Sequence, residues 1–295
     1  MRHHDVVALG GSFGAIDAVQ KVISELPADF AAAVLVAIHL GADSPGAIGR
    51  ILGVGARLPV SLAVDATHMQ HGHVYVAPAN HHLLLIGDTI RLGKGPRENM
   101  SRPAVDPLFR SVAMSAGSRA IGVVMTGLLD DGASGLADIK RFGGYTVVQA
   151  PSDAIAPDMP LAAMRATDVD HSVPAAELAR LLVELVARPA GGSTAITDRI
   201  RLEVKIAMGS SVTAATIAEI AGESLLVSKE TSVDEALRVA LRIVEERAVL
   251  SEKMAAQARR NGHASSAQGY DERSKEHRLH AEVLRKAALA SNSDA

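Results

Sequence analysis

Val6-Val7-Ala8-Leu9-Gly10-Gly11-Ser12-Phe13-Gly14-Ala15 runs from an apolar stretch into glycines, presents one serine, and leads into the helical pattern Ile16 to Leu26. The pattern predicts a short buried strand, a tight turn and a helix. It places the Ser12 hydroxyl at the positive end of a helix dipole. Gly10, Gly11 and Gly14 let the backbone bend sharply and approach a ligand closely. Taken alone, the turn fits a phosphate-binding loop or a plain βα connection as well as it fits a nucleophile. The rest of the first 190 residues decides between them.

Strand-like and helix-like segments alternate outward from this turn. Ala33–Ile38 is a second β-type run, and Ala47–Leu52 is a short helix after Pro45. Ser61–Ala63 and Val74–Ala77 are short strands, while Leu83–Ile86 and Thr89–Leu92 flank Gly87-Asp88, a hairpin signal. Asp106–Ala116, Ala133–Phe142, Pro160–Ala166 and Ala175–Ala187 are helical, and Ala120–Met125 and Tyr145–Gln149 are strands. This alternation predicts an α/β fold: a doubly wound, mostly parallel, Rossmann-like three-layer sheet with an antiparallel excursion at one edge.

Arg188-Pro189-Ala190-Gly191-Gly192-Ser193 is a linker-like break. Beyond it, Ala236, Leu237, Ala240, Leu241, Val244 and Ala248 form one apolar stripe, and a second helical run with alternating charges follows Asn261-Gly262. The organisation expected is a catalytic domain over 1–190, a partly ordered linker over 191–231 and a C-terminal helical hairpin over 232–295. The hairpin reads as a stabilising or oligomerising appendage.

Composition removes several functions. The chain has 295 residues, 48% hydrophobic content and a net charge of −3, so nucleic-acid binding by bulk electrostatics is excluded. Aromatic residues make up 2%, too few for a base-stacking platform. Cysteine is absent, which removes disulfides, thiol nucleophiles and Cys-ligated zinc. No apolar run reaches the ~18 residues of a membrane span, and Met1–Asp5 carries no signal-peptide core. The expectation is a cytoplasmic protein without membrane insertion.

In a doubly wound sheet, ligand sites lie at the carboxyl ends of the strands. Ser12, His39, and Asp130 with Asp131 all follow such ends. A serine needs a general base to become nucleophilic; a histidine supplies it, and a carboxylate fixes the imidazole tautomer. The order Ser…His…Asp differs from that of α/β-hydrolases, and the turn lacks the G-x-S-x-G form. Of the 12 histidines, His71, His73, His81 and His82 cluster without a carboxylate at metal-ligand spacing, so no metal site is assigned. No Lys-Ser/Thr pair follows the glycines to support a nucleotide-binding P-loop.

Six segments together resemble the catalytic domain of the chemotaxis-type protein-glutamate methylesterases, the CheB family. They are Gly10–Ala15, Ile38-His39-Leu40, Gly72–Pro78, Arg102–Phe109, Thr126–Gly132 and Pro157–Pro160, in the family's order over about residues 5–188. The resemblance implies hydrolysis of glutamate γ-methyl esters on a chemoreceptor-like protein, with glutamine deamidation by the same acyl transfer and no cofactor. It implies Ser12 as nucleophile, His39 as base and Asp131 as orienting carboxylate. Asp130 falls on the family's variable position.

Backbone N–H groups of Phe13 and Leu128 are the expected oxyanion donors, with Arg102 as a substrate contact; Asp106 reads as a helix cap, with a place lining the crevice as the alternative. The family's N-terminal receiver domain has no counterpart before the first strand, so phosphorelay control is expected from a partner in trans. Phe13, Leu128, Leu129 and Asp158 depart from the family, which has threonine, methionine, glycine and glycine there. A leucine at 129 takes a positive φ only at a cost, which predicts a distorted oxyanion loop and reduced activity. A catalytically weak signalling module of the same fold is the competing expectation.

Overall fold

The computed structural model describes residues 3–41, 46–192 and 195–210, with scattered positions between 248 and 282. The chain forms two compact units, Met1–Ile217 and Ala218–Ala295. The first contains β1 (Val6–Gly11), α1 (Ala15–Glu25), β2 (Ala33–Ile38), α2 (Ile48–Leu52), β3 (Val60–Leu62), β4 (Thr67–His68) and β5 (Val74–Val76). It continues with β6 (His82–Ile86), β7 (Thr89–Gly93), α3 (Val105–Ala116), β8 (Ala120–Val124), α4 (Ala133–Arg141) and β9 (Tyr145–Gln149). α5 (Asp158–Ala166), β10 (His171–Val173), α6 (Ala175–Val186) and α7 (Asp198–Met208) complete it.

Seven parallel strands form one sheet in the order β10-β9-β8-β1-β2-β5-β3. The strands are short and β-branched, and those at the centre are buried on both faces, as a sheet covered by helices requires. Alternate residues feed two cores: Val7 and Leu9 of β1 pack with α1 and α6, while Val6 and Ala8 pack with α3 and α4. The hairpin β6–β7 forms as expected, but it joins β4 in a separate antiparallel sheet rather than extending an edge of the main one. Leu83, Leu85 and Ile90 tie it to the α3 core.

The chain leaves β1 toward β2 on one side, then returns through β8 on the other. The strand order therefore reverses beside β1, and the crevice at the carboxyl ends of β1, β2 and β8 is the topological switch point where such sheets bind ligands.

α7 lies within the stretch expected to be linker. It buries Ile200, Val204 and Ala207 and packs on α3, β6 and β7. In the second unit the described positions are helical; Arg278 pairs with Glu252, and the Ser274 hydroxyl donates to the Ala248 carbonyl. These bonds join the two segments read as a hairpin, most of whose residues lie outside the described ones. No helix among the described residues is long and apolar enough to cross a membrane.

Candidate active site

β1 and β2 run side by side with Gly11 opposite Ile38. The next residue on each strand is Ser12 or His39, and the His39 N–H donates to the Gly11 carbonyl at 3.2 Å. On the other flank, the Ser12 N–H donates to the Thr126 carbonyl at 3.0 Å, holding the turn against the loop after β8. A Cβ at Gly127 would lie 3.0 Å from the Ser12 Cβ and 2.0 Å from the Met159 sulfur, so only glycine lets the loop come this close.

Asp131 is fully buried and His39 Nε2 lies 2.5 Å from its Oδ2. The same oxygen accepts the Val105 N–H at 2.7 Å; Oδ1 accepts the Asp106 N–H at 2.9 Å and the Asn99 side-chain amide at 2.7 Å. The two backbone donors are the first N–H groups of α3, unpaired within the helix and favourable to an anion. Burial pushes the Asp131 carboxyl up, but the hydrogen bond and charge of His39 and the two N–H donors outweigh it, and the net direction is down. Asp130, one residue earlier, is exposed.

Gly10 of the Ser12 turn takes part in this arrangement. A Cβ at Gly10 would sit 2.1 Å from a methyl of Val105, so the glycine admits the N-terminus of α3 that holds Asp131. The Ser12 turn and the Asp131 site are thus packed against each other.

With Nε2 committed to the carboxylate, Nδ1 is the His39 ring nitrogen without a hydrogen bond to another described residue. The Phe13 and Leu128 N–H groups pair with no acceptor among the described residues, which leaves both able to donate to a developing oxyanion. Leu129 adopts φ +69°. That is a left-handed conformation, which glycine would take freely and which costs leucine about 1–2 kcal/mol.

One expectation changes. Asp106 is not a helix cap: Ala104 holds that position, and the Asp106 side chain lies inside the first turn of α3. Its Oδ1 accepts the Gly135 N–H of α4 at 2.7 Å and its Oδ2 accepts the Asn99 amide at 2.9 Å. Burial, then the Asp131 charge, push its carboxyl up to about 7. The Arg102 guanidinium donates to Asn80 Oδ1 at 2.7 Å and to the Lys94 and Gly95 carbonyls at 3.1 and 2.7 Å, which braces the loop before α3.

Asn99, which links the two carboxylates, is the residue that sequence reasoning missed. It lies three positions before Arg102, just outside the segment that carries the resemblance. Among the histidines, His73 bonds the Ser61 hydroxyl and His82 the Pro96 carbonyl. No group of three or more acidic or histidine side chains among the described residues is arranged to hold a metal.

Residues 7–182 match the family described as CheB methylesterase. The chain belongs to the CheB methylesterase family. It is 36% identical over 184 residues to a putative protein-glutamate methylesterase/protein-glutamine glutaminase of Leptospira interrogans, covering 62% of this chain and 95% of that one. It is 37% identical over 187 residues to a protein-glutamate methylesterase/protein-glutamine glutaminase of Xanthomonas oryzae, where the match covers 62% of this chain and 52% of the relative. The CheB methylesterase catalytic domain of Thermotoga maritima superposes with a TM-score of 0.60 at 28% identity, covering 63% of this chain and all of that structure. The family match ends at residue 182, before the C-terminal unit begins at Ala218.

Proposed function

We propose that this CheB-family chain hydrolyses γ-methyl esters of glutamate side chains on a helical, chemoreceptor-like protein, and deamidates glutamine by the same route. The observation that carries this reading is the buried Asp131 carboxylate 2.5 Å from His39 Nε2, at the strand end beside Ser12.

In this reading His39 Nδ1 takes the Ser12 hydroxyl proton as Oγ attacks the ester carbonyl carbon. The carbonyl oxygen becomes the oxyanion and accepts the Phe13 and Leu128 N–H groups. Asp131 stabilises the imidazolium. His39 then gives its proton to the departing methoxide, and methanol leaves an acyl-Ser12 intermediate. A water deprotonated by Nδ1 attacks that acyl carbon, the proton returns to Ser12 Oγ, and a glutamate carboxylate is released. With a glutamine substrate the leaving molecule is ammonia. A cytoplasmic setting, where receptor methylation sites and a phosphorelay partner acting in trans meet the enzyme, belongs to the same proposal.

Methanol release from a methylated receptor, measured for the full chain and for Ser12→Ala, tests it. The serine variant is expected to lose at least about 10³-fold in kcat, since a triad works as a unit. Equal release by both proteins would overturn the reading.

A further inference from the structure

α7 lies beyond the residues that match the family, yet it reaches the loop that holds the carboxylate. Its last turn meets the end of β7 so closely that a Cβ at Gly93 would stand 2.1 Å from the Ala207 carbonyl oxygen. One at Gly95 would stand 2.0 Å from that of Ile206. The Lys94 and Gly95 N–H groups donate to the Met208 and Ala207 carbonyls at 3.3 and 3.0 Å. They satisfy carbonyls that a helix end leaves unpaired.

One turn earlier, Glu203 pairs with Arg110 of α3 at 3.3 Å, and the buried Arg110 also pairs with Glu98. Glu98 and Glu203 are part-exposed, and removing either leaves the buried Arg110 guanidinium short of a counter-charge. Asn99 follows Glu98. Asn99 and Met100 sit at φ +45° and +61°, a left-handed pair that a free loop would abandon and that persists only where the surroundings impose it. In that pose the Asn99 amide donates to Asp131 Oδ1 and to Asp106 Oδ2.

We propose that α7 is a positioning element for the triad: the backbone clamp at Gly95 and the Glu203–Arg110–Glu98 chain hold Asn99, whose amide orients Asp131 and through it His39. The proposal rests on the Ser12, His39 and Asp131 reading above. It gives the stretch after the family domain a route into the active site.

The test uses the full chain with Glu203→Gln, Asn99→Ala, the double variant, and Arg180→Ala as an exposed ion-pair control on α6. Two readouts are taken: kcat and KM for methyl-ester hydrolysis, and the low-field proton NMR signal of the His39 Nε2–H in its short bond to Asp131. Glu203→Gln is expected to lower kcat by about 2- to 30-fold, the span of remote couplings, with KM unchanged and the low-field signal displaced. Asn99→Ala does the same, and the double variant is no worse than Asn99→Ala, because both act along one path.

A Glu203→Gln protein that melts earlier but keeps the wild-type kcat and NMR signal would overturn the proposal. So would effects of the two substitutions that simply multiply. The NMR signal needs no turnover, so a chain without esterase activity would sink the hydrolase reading while leaving the coupling measurable.

Discussion

Asp131→Asn separates the chemistry of the site from its packing. Asp131 accepts four hydrogen bonds: from His39 and the Val105 N–H at Oδ2, and from Asn99 and the Asp106 N–H at Oδ1. An amide must turn its NH₂ toward one of these pairs. Facing Oδ1's partners, it orphans the Asp106 N–H and forces Asn99 to rotate away from its bond to Asp106. Facing Oδ2's partners, it orphans only the Val105 N–H, because the imidazole can answer by moving its proton to Nδ1. The second orientation keeps one more bond, worth about 0.5–1.5 kcal/mol, and wins.

That orientation leaves Nδ1 protonated and unable to accept the Ser12 proton. The equivalent wrong-tautomer change in serine proteases costs about 10⁴ in kcat, and a loss of that order is expected. Stability falls by about 1–3 kcal/mol for the orphaned N–H. The lost anion at the α3 N-terminus adds a further ~1 kcal/mol, and together these lower Tm by roughly 10 °C. Asp130→Asn, at an exposed position, should change stability by no more than about 0.5 kcal/mol. Methanol release and thermal melts of both variants check this. An Asp131→Asn enzyme within tenfold of wild type and with an unchanged Tm would refute the argument.

The Leu129 backbone makes a second prediction. At φ +69° a β-branched side chain is worse than leucine and glycine is free of strain, so Leu129→Gly should be more stable than Leu129→Val by about 1–2 kcal/mol. Urea unfolding midpoints decide it; a valine variant as stable as the glycine one rules out the left-handed turn. Asp106 sets a pH dependence. Its carboxyl ordinarily titrates near 3.8 and in the fold near 7, so between these values the folded chain holds a proton that the unfolded chain has lost. Its contribution is therefore complete below about pH 4 and disappears as pH rises toward 7. Asp106→Asn should flatten the fall in stability across that interval, as read from melts at pH 5 and pH 7.5; an unchanged slope would assign the effect elsewhere.

The parts of this fold legible in the sequence are those where one physical rule acts locally. Apolar runs such as Ala33–Ile38 sit on β2 to the residue, because strands buried on both faces have no polar alternation to blur. The turn before α1 and the hairpin at Gly87-Asp88 were marked by glycine chemistry. What stayed hidden depends on contacts distant in sequence. α7 has a weak apolar face and takes its place only because α3 and the β6–β7 hairpin offer one, so its residues read as linker. Asp106 looked like a cap because capping is the local rule for an aspartate before a helical run. Its actual partners, Asn99 and Gly135, are seven and 29 residues away.

The same distinction applies to the Gly10–Gly14 turn. Gly10 is a turn glycine by local rules, but its missing side chain admits Val105, whose N–H holds the Asp131 carboxylate against His39. A larger residue there would displace the aspartate while leaving the serine's own turn intact. The glycines of that stretch therefore act on two members of the proposed triad, and their place in the sequence accounts for one of them.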